Sequence, residues 1–342
     1  MTSEDKRSID YPYSPFVKQR ETLDNGFSKG WGFQFHPNEK YFFDVHNHIG
    51  DVTTHAEVYK LLGEWFARLD GFRLGRVLLI ASKKCSAETF KVFRDVAAQD
   101  ERFGWLVQLA TDNPDSELFK KALDCNTVGL KLHNASIMKG FEKPDIWLNE
   151  EWGSVFSLAQ ENNTPILWHV TQRMSESPYH GGGVNSYWAE GWKKGVTFTN
   201  DDLVDIFCKV LEKYPNLKVV GAHQLYMGID KLSALLDNYK NLYFDTSVGF
   251  FLRWADTLYD WDRDVIKEFV IKYQDRILFG SDSNLVPGGI DEYLAQGFLC
   301  HARFIHDLRL PYDVLEKVAH INTEKVFGYS PIGAARRGNT RP

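Results

Sequence analysis

The sequence predicts an α/β protein: a (β/α)8 TIM barrel preceded by an irregular N-terminal arm. Two observations carry this. From residue 41 onward, eight short apolar, β-branched or aromatic runs alternate with helix-like stretches. Metal-binding residue types then fall at the ends of five of those runs. They are Asp44-Val45-His46-Asn47-His48, Lys131 in VGLKLH, His169 in PILWHV, His223 in VVGAH and Asp282 in ILFGSDS. Barrel enzymes keep their chemistry at the C-terminal mouth, where the ends of different strands converge.

Residues 1–40 mix polar, aromatic, Gly and Pro residues without a period and read as an arm or cap ahead of the barrel. The predicted strands are 41–46, 76–82, 104–111, 127–133, 165–171, 217–223, 242–248 and 277–282. Most are continuous apolar runs, as parallel strands covered by helices require. The predicted helices are 55–69, 86–98, 115–125, 151–162, 201–213, 229–240, 263–273 and 291–307. Residues 55–69 (HAEVYKLLGEWFARL) space apolar side chains by three and four. Several helices follow a good N-cap; Thr199-Asn200-Asp201-Asp202 precedes LVDIFCKVLEKY. There is no low-complexity tract and no dividing linker. The barrel therefore runs over 41–330, and a basic, loose tail occupies 331–342.

The bulk numbers agree with one large domain. The chain has 342 residues, 43% of them hydrophobic, enough for a barrel-sized core. Its net charge of -6 offers no footprint for nucleic acid or an anionic membrane. The longest apolar runs, such as VLLIA, are too short to span a bilayer. The four cysteines, at 85, 125, 208 and 300, show no C-x-x-C spacing. Their sparse use and the polar N-terminus predict a cytoplasmic protein. The partner expected is a small-molecule substrate, with a homodimer through the aromatic arm.

Side chains alternate along a strand, so His46 and His48 face the same way and two imidazoles can grip one ion. Asp44 shares that parity one layer deeper, as a possible acceptor for a histidine or a polar filler. A lone His169 would usually be a satisfied core histidine; its strand-end placement makes it a ligand candidate. His223 reads either as a second metal's ligand or as a base and electrophile beside one metal. Asp282 could be a helix N-cap, but suits a metal ligand that also accepts a proton from water. Lys131 reads as a metal-bridging carbamate, as a substrate-contacting amine, or as a structural ammonium. His133, two residues on, is a weaker extra. The longest β/α connection, 172–200, reads as a lid or substrate wall. Arg173, His180 and Trp188 on it, with Arg253 and Asn284 after later strands, are the substrate-binding candidates.

Taken together, FDVHNHIGD, VGLKLHNA, PILWHV, VVGAH, LYFDTS, ILFGSDS and NTEKVFG resemble the amidohydrolase superfamily, most closely its amidohydrolase-2 branch of metal-dependent hydrolases and decarboxylases. The resemblance runs from residue 41 to about 328 and implies a distorted (β/α)8 barrel. It implies that His46, His48, His169 and Asp282 hold a divalent metal, usually zinc, and that His223 acts on substrate or water. One-metal relatives tend to lack a lysine like Lys131, whereas two-metal members use one as a carbamate. The bulky run His223-Gln224-Leu225-Tyr226-Met227 departs from the small residues usual there.

Two reactions share these residues. In a hydrolase, Asp282 takes a proton from metal-activated water as it attacks an amide, lactone or ester carbon, and His223 polarises the substrate oxygen. The alternative is a non-oxidative decarboxylase of an aromatic or unsaturated acid. A ligand-binding barrel without activity is disfavoured because every expected position is filled. A TatD-like nuclease is disfavoured by the acidic balance.

Overall fold

The computed structural model describes residues 40–69, 72–172, 187–247, 260–285 and 292–332. Strands and helices alternate: β1 (Phe42–Ile49), α1 (His55–Leu69), β2 (Leu74–Ile80), α2 (Ala87–Gln99), β3 (Phe103–Gln108), α3 (Ser116–Asp124), β4 (Gly129–His133), α4 (Glu150–Glu161) and β5 (Ile166–His169). The second half continues with α5 (Tyr187–Lys193), α6 (Asn200–Lys213), β6 (Val219–Gly221), α7 (Ile229–Asn238), β7 (Leu242–Asp245), α8 (Asp260–Lys272), β8 (Ile277–Leu278), β9 (Ser283–Leu285) and α9 (Glu292–Asp307). All strand pairs are parallel, in the order β8-β7-β6-β5-β4-β3-β2-β1-β9.

The two ends of that order are pieces of one segment, 277–285. β8 pairs with β7 and β9 pairs with β1, while Val45 N donates to Phe279 O at 3.0 Å. The ring therefore closes on itself, as a distorted (β/α)8 barrel. The predicted eighth strand, 277–282, is thus broken and extended. At the break Asp282 has φ 57, the left-handed region, and strand geometry cannot pass through it.

The apolar side chains sort into two layers. Phe43, Val45, Leu78, Ile80, Leu106, Leu167, Val220 and Leu278 fill the barrel interior, with Phe327 among them. Phe42, Val77, Leu79, Trp105, Ile166 and Trp168 face outward into the layer under the helices. That double burial explains why the strands read as unbroken apolar runs. Aromatic residues dominate the outer layer: Trp168 meets Trp147, Phe156 and Phe207 at ring separations of 4.8, 5.7 and 5.3 Å.

Helix starts follow local chemistry. Thr199 and Asp202 form a capping box at α6, and Asp115 and Asn149 cap α3 and α4 by accepting from Leu118 N and Trp152 N. Short helical turns over Tyr312–Glu316, Lys317–Ile321 and Asn322–Phe327 come last; Asn322 Nδ2 donates to Ile277 O at 2.8 Å.

Two local features differ from the sequence reading. The connection 172–200, read as a lid or substrate wall without a predicted helix, contains α5. Its Gly191 lies so close to Met138 that an added Cβ would stand 2.0 Å from the Met138 carbonyl oxygen. Gly191→Ala is expected to cost about 1–3 kcal/mol, read as a lower denaturation midpoint; an unchanged midpoint would show that α5 is free to shift. Second, β1 carries a bulge: Asp44 pairs with Val77 but Asn47 with Leu79. Phe43 and Val45 take the interior, so Asp44 does not share the parity of His46 and His48. It instead accepts from Ser281 N at 3.0 Å and from the Ser281 hydroxyl.

Candidate active site

Because the strands are parallel, the C-terminal ends of β1, β4, β5, β6, β7 and β8 open at one mouth. They bring together His46, His48, Lys131, His169, His223, Asp245 and Asp282. His46 and His48 stand with ring centroids 5.4 Å apart. Their Nε2 atoms approach the same oxygen, Asp282 Oδ1, at 3.3 and 3.4 Å. His46, His48 and Asp282 each offer one ligand atom, all within 4.8 Å of one another. Burial alone would raise the Asp282 carboxyl; the imidazoles of His46, His48 and His223 outweigh it and hold it well below its ordinary value.

Asp245 organises this centre from behind. It accepts from His46 Nδ1 at 2.7 Å, His223 N at 2.8 Å, Ser247 N at 3.2 Å and the Ser247 hydroxyl at 2.7 Å. Burial would raise its pKa; the hydrogen bond from His46 and the neighbouring His46, His223 and Ser247 side chains outweigh it and keep the carboxyl below its ordinary value. A carboxylate can only accept, so His46 carries its proton on Nδ1. Its Nε2 lone pair then faces Asp282. This is the arrangement in which an outer carboxylate fixes the tautomer of a metal-binding histidine.

His223 is placed by a strained turn. His223, Gln224, Leu225 and Tyr226 have φ of 59, 50, 50 and 47, each costing roughly 1–2 kcal/mol for a non-glycine residue. Side chains hold the turn in place. Gln224 Nε2 donates to Asp245 O at 2.6 Å, and the Thr171 hydroxyl donates to Leu225 O. The bulky run that departs from relatives is therefore the turn that aims the histidine. His223 Nε2 lies 3.0 Å from His169 Nδ1, and His223 Nδ1 lies 2.9 Å from Ser247 Oγ. Burial lowers His223 to about 4 and His169 well below its ordinary value, so both are neutral at pH 7.

Lys131 is fully buried on β4, and its Nζ donates to His46 Nε2 at 2.9 Å. Burial lowers its pKa to about 8, with Asp282 and Asp245 opposing the fall. A cation thus already finds support between the His46 lone pair and two carboxylates. Among the described residues His169 Nε2 is buried without a hydrogen-bond partner. That is a costly state for a ring nitrogen unless it meets a cation or a substrate group. These two observations, with the three converging ligand atoms, make the residues fit a divalent metal. His169 is outside both compact three-residue groups, His46 with His48 and Asp282 and His46 with His223 and Asp245, and meets the second through His223.

Beside His48 opens a cavity of about 750 Å³ lined by Ser82, Lys83, Gln108, Thr111, His133 and Tyr187 among others. Of the substrate-binding candidates, Asn284 is exposed on β9, opposite His48 in the β1–β9 pairing. Trp188 is 1% exposed and packs against Trp192 and Phe198, so it is a core residue that does not line the cavity. Arg173, His180 and Arg253 lie outside the described residues. Ser247 and Gln224 escaped the sequence reading. The signal for Ser247 was present in YFDTS, where Asp245 and Ser247 share a parity at a strand's end.

A closed parallel barrel with this cluster at its C-terminal mouth defines a barrel enzyme. The chain belongs to the amidohydrolase family, whose sequence profile matches residues 76–329. It is similar in structure to an uncharacterized TIM-barrel protein of Bordetella bronchiseptica, with 13% identity, a TM-score of 0.54, and coverage of 84% of this chain and 98% of that one. It is also similar to 5-carboxyvanillate decarboxylase LigW of Sphingomonas paucimobilis (15% identity, TM-score 0.52, 85% and 100% covered). A third similar structure is a Pseudomonas putida protein assigned as a 2-pyrone-4,6-dicarboxylic acid hydrolase (13% identity, TM-score 0.54, 86% and 98% covered). No curated protein sequence matches the chain. No helix among the described residues is long and apolar enough to cross a membrane.

Proposed function

We propose that the protein is a metal-dependent hydrolase of a small aromatic or carboxylate-bearing amide, lactone or ester. The observation that carries this is the convergence of His46 Nε2 and His48 Nε2 on Asp282 Oδ1 at 3.3 and 3.4 Å, beside a large cavity. His46, His48, His169 and Asp282 would hold the metal, most simply one zinc ion. A divalent cation there supplies Lewis-acid polarisation of the substrate and lowers the pKa of water toward neutrality. Asp282, kept ionised by its imidazole neighbours, takes the proton of the attacking water and returns one to the leaving group. Neutral His223 carries its proton on Nδ1, toward Ser247 Oγ and O, and shifts it to Nε2 when substrate is bound in order to donate to the oxygen on which charge develops. Asp245 and Ser247 hold His46 and His223 in register.

Lys131 acts in this reading as an unmodified amine. Its Nζ lies against His46 Nε2, the same nitrogen that faces Asp282 Oδ1, and this shared position supports a one-metal centre. Elemental mass spectrometry on wild type and Lys131→Ala tests this. About one zinc in both is expected. About two in wild type, falling in the variant, would replace it with a carbamate-bridged pair. His46→Ala and His169→Ala are each expected to lose metal and activity together. Full turnover after exhaustive chelation would overturn the metal role. Release of carbon dioxide from an aromatic acid, with no lactone, ester or amide cleaved, would replace the hydrolase with a decarboxylase. The LigW neighbour makes that assay necessary, although its likeness to this chain extends only to the fold. A cytoplasmic homodimer completes the proposal. The free cysteines 85, 125 and 208 support a reducing compartment, and light scattering tests the dimer.

A further inference from the structure

We infer that His133 is a substrate-contacting residue: a neutral imidazole whose Nε2–H faces the cavity and donates to a carboxylate or carbonyl oxygen of the bound substrate. The inference deepens the reading of the site as an active centre and rests on it. Three observations lead to it.

The first is the tautomer. Ala135 N lies 2.9 Å from His133 Nδ1. A backbone amide can only donate, so Nδ1 must be the accepting nitrogen and the ring proton sits on Nε2. As Asp245 does for His46, the backbone makes this choice for His133.

The second is placement. His133 pairs with His169 across the β4–β5 ladder, and their rings stack at 4.1 Å with a 22° tilt. Tyr187 meets the imidazole edge-on at 5.5 Å from beside the stack, with its ring 6.4 Å from that of His169. The Ala135 hydrogen bond, the stack and the Tyr187 contact together fix the ring's direction.

The third is what Nε2 reaches. His133 is half-buried and lines the 750 Å³ cavity together with His48. Among the described residues its Nε2 takes no protein partner, and unlike His169 Nε2 it is not sealed. A clamped donor facing an open cavity beside the candidate ligands is a group arranged for an acceptor from solution. An anionic or strongly polarised oxygen suits it best. Tyr187 and Phe141 also line the cavity, and aromatic side chains there suit a planar acid.

Benzoate, a planar carboxylate, is the probe. It is titrated by calorimetry into full-length wild-type protein, His133→Phe and His133→Gln, each with its metal content measured. Phe keeps the stack on His169 and removes the donor; Gln restores an N–H near the Nε2 position. The inference expects the benzoate dissociation constant to rise about tenfold or more in His133→Phe and to return within about threefold of wild type in His133→Gln. Long-range 15N–1H spectra, assigned by the signal lost in the variants, should show the Nε2–H tautomer and a shift of that proton on adding benzoate. An Nδ1–H tautomer, or a proton that ignores saturating benzoate, would overturn the role of His133 whatever the metal content. A wild-type protein that holds no metal would sink the hydrolase reading instead, and the spectra would still decide His133.

Discussion

Asp282→Asn should lower turnover by about two to four orders of magnitude while leaving the fold intact. The substitution removes the proton acceptor but nearly keeps size and shape. It is also tolerated by the backbone. Asp282 occupies the left-handed region at φ 57, where Asn is among the least strained of the non-glycine residues. The melting temperature should therefore move by only a few degrees. Asp282 also faces His46 and His48, so some loss of metal affinity is expected, and assays belong at saturating zinc. Turnover within about tenfold of wild type under those conditions would remove the proton role. Asp282→Ala is the less informative change, because Ala adds the strain of a left-handed backbone to the loss of the carboxylate.

The largest effect on stability should come from Asp245→Ala. Four donors now end on that one buried carboxylate: His46 Nδ1, His223 N, Ser247 N and Ser247 Oγ. Each buried donor left unpaired costs roughly 1–3 kcal/mol, so a loss of about 3 kcal/mol or more is expected in denaturant unfolding. The same change frees the His46 tautomer and releases the left-handed turn at His223. Zinc affinity should fall about ten- to a hundredfold, measured by competition with a chelating dye. Unchanged zinc affinity in a destabilised variant would show that Asp245 is a structural anchor alone. Asp245→Asn, which keeps an acceptor oxygen, should lie between the two.

The strands and helices of the barrel were legible because burial on both faces and helical spacing are local properties of the sequence. The predicted helix 151–162 is α4 at Glu150–Glu161, and the predicted 201–213 is α6 at Asn200–Lys213. The strand ends carrying His46, His48, His169 and Asp282 were legible for the same reason, since strand ends in a parallel barrel share a mouth. What escaped is set by tertiary hydrogen bonds. The bulge in β1 depends on where Val45 and Asp44 meet the segment 279–281. The left-handed turn after β6 depends on Asp245, more than twenty residues later in the chain. Nothing in the His223–Tyr226 run, which lacks glycine, announces four positive φ angles. Trp188 was misread because a tryptophan in a long connection looks like a substrate wall; α5 turns it into the core.

The seam where β9 meets β1 has a consequence for assembly. His46 and His48 lie on the first strand, and Asp282 lies at the break in the last. A metal bound by all three is a clasp between the two ends of the ring, joining parts of the chain separated by almost the whole barrel. Closing so long a loop carries an entropic penalty that the ion helps to offset only once the final strand has arrived. A chain still growing past residue 223 holds most of the histidines but no closed centre. On the proposed metal role, capture of the ion reports that the ring is complete, and a truncated barrel that ends before residue 282 is left without that clasp.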